Sequence, residues 1–180
     1  PDIDRKMAEV RIRLSSDLIG ERAIVSLCAE AFNSSRNHIV TSPRQTFIVD
    51  TAEIVIPLCM GEGMLLWDEF TPQLYRLSVN VMSDGRRYTY NTNFGMRKIE
   101  IRDKMFYVNN RLVQLRGTVE SCCFPLTGYP PTDVDSWLRV FERCKAWGLN
   151  HVRFHSYCPP EAAFTAADIA GVYIDRKSTR

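Results

Sequence analysis

Long apolar runs are missing from these 180 residues. No stretch approaches the roughly 20 consecutive apolar residues of a bilayer-spanning helix, so a membrane helix is excluded for the residues present. The opening Pro1-Asp2-Ile3-Asp4-Arg5-Lys6 has neither an initiator methionine nor the basic-then-apolar order of a signal peptide. The expectation is a soluble protein with any leader upstream, so that periplasm and cytoplasm of a bacterium both stay open. A charge excess is missing too. Lys and Arg number 23 against 21 Asp and Glu, and the tail from Asp175 to Arg180 accounts for the whole net charge of +2. Phosphate-rich partners require a positive excess concentrated on one face, so composition argues against nucleic acid and against an anionic membrane surface. Arg11, Arg13, Arg86 and Arg87 read as solvated strand and turn positions. Histidine is scarce, with three residues, and the six cysteines (Cys28, Cys59, Cys122, Cys123, Cys144, Cys158) show neither metal spacing nor the density of a disulfide framework. They read as buried free thiols, and no metal or other cofactor is expected.

What is present changes period along the chain. From residue 7 to about 108 the pattern alternates: Ala8, Val10, Ile12 and Leu14; then Ala23, Val25, Leu27, Ala29 and Ala31; then Ile54, Ile56 and Leu58. Tyr75, Leu77, Val79 and Val81 alternate strictly up to Ser83-Asp84-Gly85, and Tyr88, Tyr90 and Phe94 continue the series. Short alternating strands between turn signals predict an antiparallel sandwich with an immunoglobulin-like architecture over residues 1–97, without the Cys and Trp spacing of antibody domains. Arg97 to Arg102 reads as one more strand. Met105 to Val108 and Leu112 to Leu115 flank Asn109-Asn110, which suit a two-residue hairpin turn because Asn tolerates positive φ. No Gly/Ser-rich or Pro-rich tether follows.

Beyond Gly117, which closes the segment Leu112 to Gly117, the period becomes helical. Trp137, Leu138, Phe141, Cys144 and Lys145 share one face, Thr132 and Asp135 form a capping-box pattern, and Gly148 stops the helix. His151 to Phe154 is a strand, Glu161 to Ile169 an Ala-rich helix, and Val172 to Ile174 a third strand after Gly171. Strand, helix, strand, helix, strand calls for a parallel sheet.

Three further segments stand out in order: Leu66-Trp67-Asp68-Glu69-Phe70-Thr71-Pro72-Gln73-Leu74-Tyr75; Phe94 to Asn110 with Leu115-Arg116-Gly117; and Lys145 to Gly171. Together they resemble glycoside hydrolase family 2, the β-galactosidase and β-glucuronidase group, and the first is similar to its Trp, Pro, Leu-Tyr signature. Phe94 to Ile101 with Phe106 to Asn110 and Leu115-Arg116-Gly117 is similar to its G-x-R, F-x-x-N-G, R-G ribbon. Lys145 to Asn150, Val152-Arg153, Asp168 and Gly171 are similar to its first two barrel repeats. The resemblance implies a multidomain β plus α/β chain: a sandwich over 1–97, then the opening of a (β/α)8 barrel over 98–174. Residues 175–180 depart from the family's continuation and read as a cloning or sequencing scar.

The resemblance implies retaining hydrolysis of O-glycosidic bonds, of β-galactoside or β-glucuronide type, by two glutamates about 5 to 5.5 Å apart. In the family both stand on later barrel strands, so no catalytic residue is assigned here and the chain is expected to be inactive alone. The partner it implies is a glycoside or oligosaccharide, with oligomeric state unknown. Candidates for contact with sugar are Arg153, His155, Glu120 and Tyr157, which fall near strand ends. In the family the motif after the second strand is Arg-x-Ser-His-Tyr-Pro, and here Arg153-Phe154-His155-Ser156-Tyr157-Cys158-Pro159 displaces the histidine by one place. Glu69 and Glu100 read as solvated positions, Glu142 and Glu161 as helix surface, and Trp137 and Trp147 as core between helix and sheet. The competing expectation is a non-catalytic sandwich that binds carbohydrate or a partner.

Overall fold

The computed structural model describes residues 1–51 and 53–177. Its contacts divide into two compact units: Pro1–Leu66 with Gln73–Lys98, and Trp67–Pro72 with the chain from Ile99 onward.

In the first unit, β1 (Met7–Arg13) pairs antiparallel with β5 (Glu53–Cys59), Val10 opposite Ile56. A larger antiparallel sheet is built on β2 (Arg22–Ala31), which pairs with β6 (Tyr75–Ser83), and β6 pairs with β7 (Arg86–Phe94). The other edge of β2 holds β3 (Ile39–Thr41) and β4 (Gln45–Ile48). These two short strands give little alternation to read, and Pro43 between them cannot donate to a ladder. Ala23, Val25 and Leu27 from β2 meet Ile56 and Leu58 from β5 in one core, so the two sheets form a β-sandwich. Tyr75 is fully buried in it, and its hydroxyl accepts from Leu65 N (2.8 Å) and shares a hydrogen bond with His38 Nδ1 (2.7 Å). Asp84 and Gly85, both at positive φ, close the β6–β7 hairpin in two residues, as the right-handed strand twist favours.

The second unit begins with an antiparallel ribbon of β8 (Ile99–Arg102), β9 (Met105–Val108) and β10 (Arg111–Val113). Its turns, Asp103-Lys104 and the anticipated Asn109-Asn110, both have two residues at positive φ. Then come β11 (Gly117–Glu120), α1 (Val134–Ala146), β12 (His151–Phe154), α2 (Glu161–Ala170) and β13 (Tyr173–Arg176). The three strands form a parallel sheet in the order β11-β12-β13. Gly117 therefore opens a strand, whereas the sequence reading had it close one. Position 117 needs glycine because a Cβ there would meet His151 Nδ1 at 2.3 Å.

The α1 cap lies one residue later than the Thr132 pattern predicted: Asp133 accepts from Ser136 N at 2.8 Å. Trp137 and Phe141 of α1 pack with Phe154 and with Ala163, Ala166 and Ala167 of α2. The small alanines let the two helices approach closely. Trp147, expected in this core, is 84% exposed. Asp175 and Arg176, expected in a scar, belong to β13, and residues 178–180 of that segment lie outside the described residues. All six cysteines are free, but none is buried: Cys28 and Cys144 are half-buried and the other four exposed.

Candidate functional site

Parallel pairing places Val119, Arg153 and Asp175 side by side, and one residue further Glu120, Phe154 and Arg176. Successive residues of a strand point to opposite faces. Since Phe154 and Val152 lie in the core with the helices, Glu120 shares the helix-covered face, and Val119, Arg153 and Asp175 share the other. On that open face Val119 is 58% exposed, and Arg153 Nη1 pairs with Asp175 Oδ2 at 2.7 Å. His151 and Tyr173 share the face one step toward the strand starts. Burial pulls the His151 imidazole below its usual pKa, with Asp175 pushing the other way, and its Nε2 is buried without a hydrogen-bond partner.

The carboxyl ends of β11 and β12 are tied by His155 N donating to Glu120 O at 2.8 Å. The His155 ring is exposed and its Nδ1 lies 2.9 Å from Ser156 Oγ. Glu120 Oε1 accepts from Cys122 N at 2.8 Å, while Oε2 is buried and unpartnered. The Tyr157 ring meets Phe154 edge-on at 5.5 Å, and its hydroxyl is likewise buried without a partner. The four candidates thus gather at one end of the sheet but divide between its faces: Arg153 on the open side, Glu120 and Tyr157 toward the helices, His155 in the loop. Cys122 (φ 62) and Ser156 (φ 68) in these loops hold the left-handed conformation that non-glycine residues seldom adopt. Such conformations concentrate where a loop's shape serves a function. Arg153 is the one cation among the four, and an arginine fork suits a carboxylate or a sugar hydroxyl pair.

At the opposite end of the strands lies a cluster that sequence reasoning missed. Glu69, expected in a solvated turn, is 6% exposed. Its carboxylate accepts from Asn150 Nδ2, and its backbone oxygen accepts from Lys145 Nζ. Asn150 also donates to Gln114 O (3.0 Å) and accepts from Arg116 N (2.7 Å). Trp67 Nε1 donates to Asp168 O at 2.6 Å, and its ring meets Tyr173 edge-on. Gly171, at φ 72, brings its backbone so near that a Cβ would come within 2.9 Å of Glu69 O. Burial lowers the Lys145 pKa, while Glu69 and then Asp68 raise it. Apart from Gln114 and Tyr173, the residues of this cluster all fall in the segments that resemble the family, Leu66 to Tyr75, Leu115 to Gly117, Lys145 to Asn150, Asp168 and Gly171, but nothing in the sequence brought them together. This end carries structure, since in barrels and open sheets ligands are handled at the carboxyl ends. Among the described residues no group of three or more His, Cys, Asp or Glu is arranged to hold a metal, and no helix is long and apolar enough to cross a membrane.

No family model matches the chain. A β-galactosidase of Thermoanaerobacter pseudethanolicus is 26% identical over 148 residues, 78% of this chain and 19% of that protein. The β-galactosidase large subunit of Latilactobacillus sakei is 30% identical over 119 residues, 64% of this chain and 19% of that protein. The chain thus spans about a fifth of the length of these relatives. Among solved structures, a glycosyl hydrolase family 2 member from Bacteroides cellulosilyticus matches 94% of this chain and 22% of its own, with a TM-score of 0.74 at 18% identity. The Parabacteroides merdae β-glucuronidase matches 93% of this chain and 21% of its own, with a TM-score of 0.73 at 21% identity. In sequence the chain is similar to β-galactosidases, and in fold to a glycosyl hydrolase family 2 member and a β-glucuronidase, corresponding to one portion of those proteins.

Proposed function

We propose that this chain is part of a retaining β-glycosidase of the β-galactosidase or β-glucuronidase type, with its first unit an immunoglobulin-like domain and its parallel sheet the opening of a (β/α)8 barrel. The observation that carries the reading is the Arg153–Asp175 pair on the open face of β12 and β13, the face that a closing barrel turns inward. In this reading the two catalytic glutamates come from later strands of the parent. Arg153 stands in the barrel lumen, where its guanidinium orients a carboxylate or donates to the oxygens of a sugar, and Asp175 fixes its rotamer. His155 borders the pocket from the loop. Glu120 and Tyr157, on the helix side, shape that loop and are weaker candidates for direct contact.

An intact parent enzyme carrying Arg153→Ala is expected to lose about 10²-fold in kcat/KM on an aryl β-galactoside or β-glucuronide, the size of effect that misplacing a reacting group produces. Arg153→Lys keeps the charge but not the planar fork and should recover only part of the loss. The 180-residue chain alone should show no hydrolysis. Turnover by that chain, or full activity of the Arg153→Ala parent, would sink the proposal.

A further inference from the structure

The outer face of the larger sheet in the first unit concentrates charge of one sign. Ala23, Val25 and Leu27 of β2 point into the core, so Arg22, Ile24, Ser26 and Glu30 point outward. Register then puts Asn80 and Met82 of β6, and Arg87 of β7, on the same face. Arg76 is there as well, and Glu30 is the one acid among the described strand residues of this face. Composition alone, close to neutral, concealed this asymmetry.

Toward the β6–β7 hairpin end of the face is a cleft of about 200 Å³ lined by Ile24, Ser26, Arg44, Asn80, Met82 and Arg87. Arg44 immediately precedes β4, whose Gln45 pairs with Val25, and Arg87 pairs with Met82. The two arginines therefore rise on opposite sides of a floor made by β2 and β6. Neither has an ion-pair partner among the described residues, in contrast to Arg11, Arg13, Arg102, Arg111 and Arg153, each paired with a carboxylate. Asn80 Oδ1 accepts from Thr89 Oγ1 at 2.9 Å, which leaves the Asn80 amide N–H groups to donate into the cleft beside the Ser26 hydroxyl.

We propose that this cleft binds an acidic saccharide, with a uronate carboxylate held between Arg44 and Arg87 and the ring lying on the floor. Guanidinium forks match carboxylates, and their hydrogen bonds to an anion are about twice as strong as neutral ones. Ile24 and Met82 offer apolar surface to the C–H face of a sugar, while Asn80 and Ser26 meet its hydroxyls. Among the described residues no aromatic side chain lines the cleft, so it lacks the stacking platform that single-stranded nucleic acid uses. The site lies entirely in the first unit and stands whether or not the catalytic reading of the second holds.

The test is calorimetric titration of the 180-residue chain with tetragalacturonate, a neutral galacto-oligosaccharide, sodium sulfate and a short single-stranded oligodeoxynucleotide. Saturable binding of tetragalacturonate, weakened by added salt and by about tenfold in Arg44→Gln or Arg87→Gln, is expected. Arg13→Gln, on the other sheet, should bind as the unaltered chain does. Thermal transitions of the variants should match the unaltered chain, since both arginines are exposed. No saturable binding, equal binding of the neutral sugar, binding that survives Arg44→Gln/Arg87→Gln together, or preference for sulfate or the oligonucleotide would each overturn the assignment.

Discussion

His151 shows how much one side chain depends on its setting. It stands at the start of β12 with Gly117 against one ring nitrogen and no partner for the other. Burial holds its pKa below the ordinary 6.5, with the opposing field of Asp175 and the reinforcing field of Arg153 as smaller effects. As pH falls through 6.5 the unfolded chain takes up a proton before the folded one does, so acidification favours unfolding. Urea midpoints of the second unit should therefore fall between about one pH unit above and one below 6.5, and this slope should be absent in His151→Gln. An unchanged slope in the variant would remove His151 as its source. Asp133, whose carboxylate is held low by the Ser136 N–H, acts in a separate and more acidic window.

Among the elements, α1 is held by one side chain more than by its cap. Trp137 is fully buried, meets the rings of Phe124, Phe141 and Phe154, and satisfies its N–H at Pro131 O (2.7 Å). Its replacement in Trp137→Ala leaves a cavity in a core of few large residues. The expected loss is about 3 to 5 kcal/mol, read as cooperative unfolding of the second unit at lower denaturant. The first unit should keep its transition, because its core shares no residue with this one. Helix periodicity singled out Trp137 and Phe141 correctly. It could not separate Trp137 from Trp147, since Trp147 is the C-cap and leaves the helical face just where the chain turns at Gly148. Strand ends were read less well: Leu115-Arg116-Gly117 looked like the close of the ribbon strand, yet the ladder stops at Val113 and a new one starts at Gly117.

For the molecule as a whole, the division into units does not follow chain order. Residues 67–72 lie between two sandwich strands in sequence but belong to the second unit, where Trp67 and Glu69 engage Asp168, Asn150 and Lys145. A chain ending at Lys98 retains every strand of the sandwich and should unfold cooperatively. One beginning at Ile99 lacks Trp67 and Glu69, leaves the Asn150 amide and Lys145 without those partners, and should fail to show a cooperative transition by circular dichroism. A cooperative 99–180 fragment would contradict that role for the 67–72 segment. Local pattern sufficed for the long alternating strands, the hairpin turns, the two helices and the resemblance to a glycosidase family, because these rest on interactions between near neighbours in sequence. The sequence likewise placed Arg153, Glu120, His155 and Tyr157 near strand ends. Which face each takes was decided by the parallel register of β11, β12 and β13, and the burial of Glu69 and the gathering of arginines on one sheet face were decided by pairings between residues far apart in the chain. Composition counts charges and periodicity counts neighbours, but only strand pairing and packing determine which distant groups share a face and which lose their water.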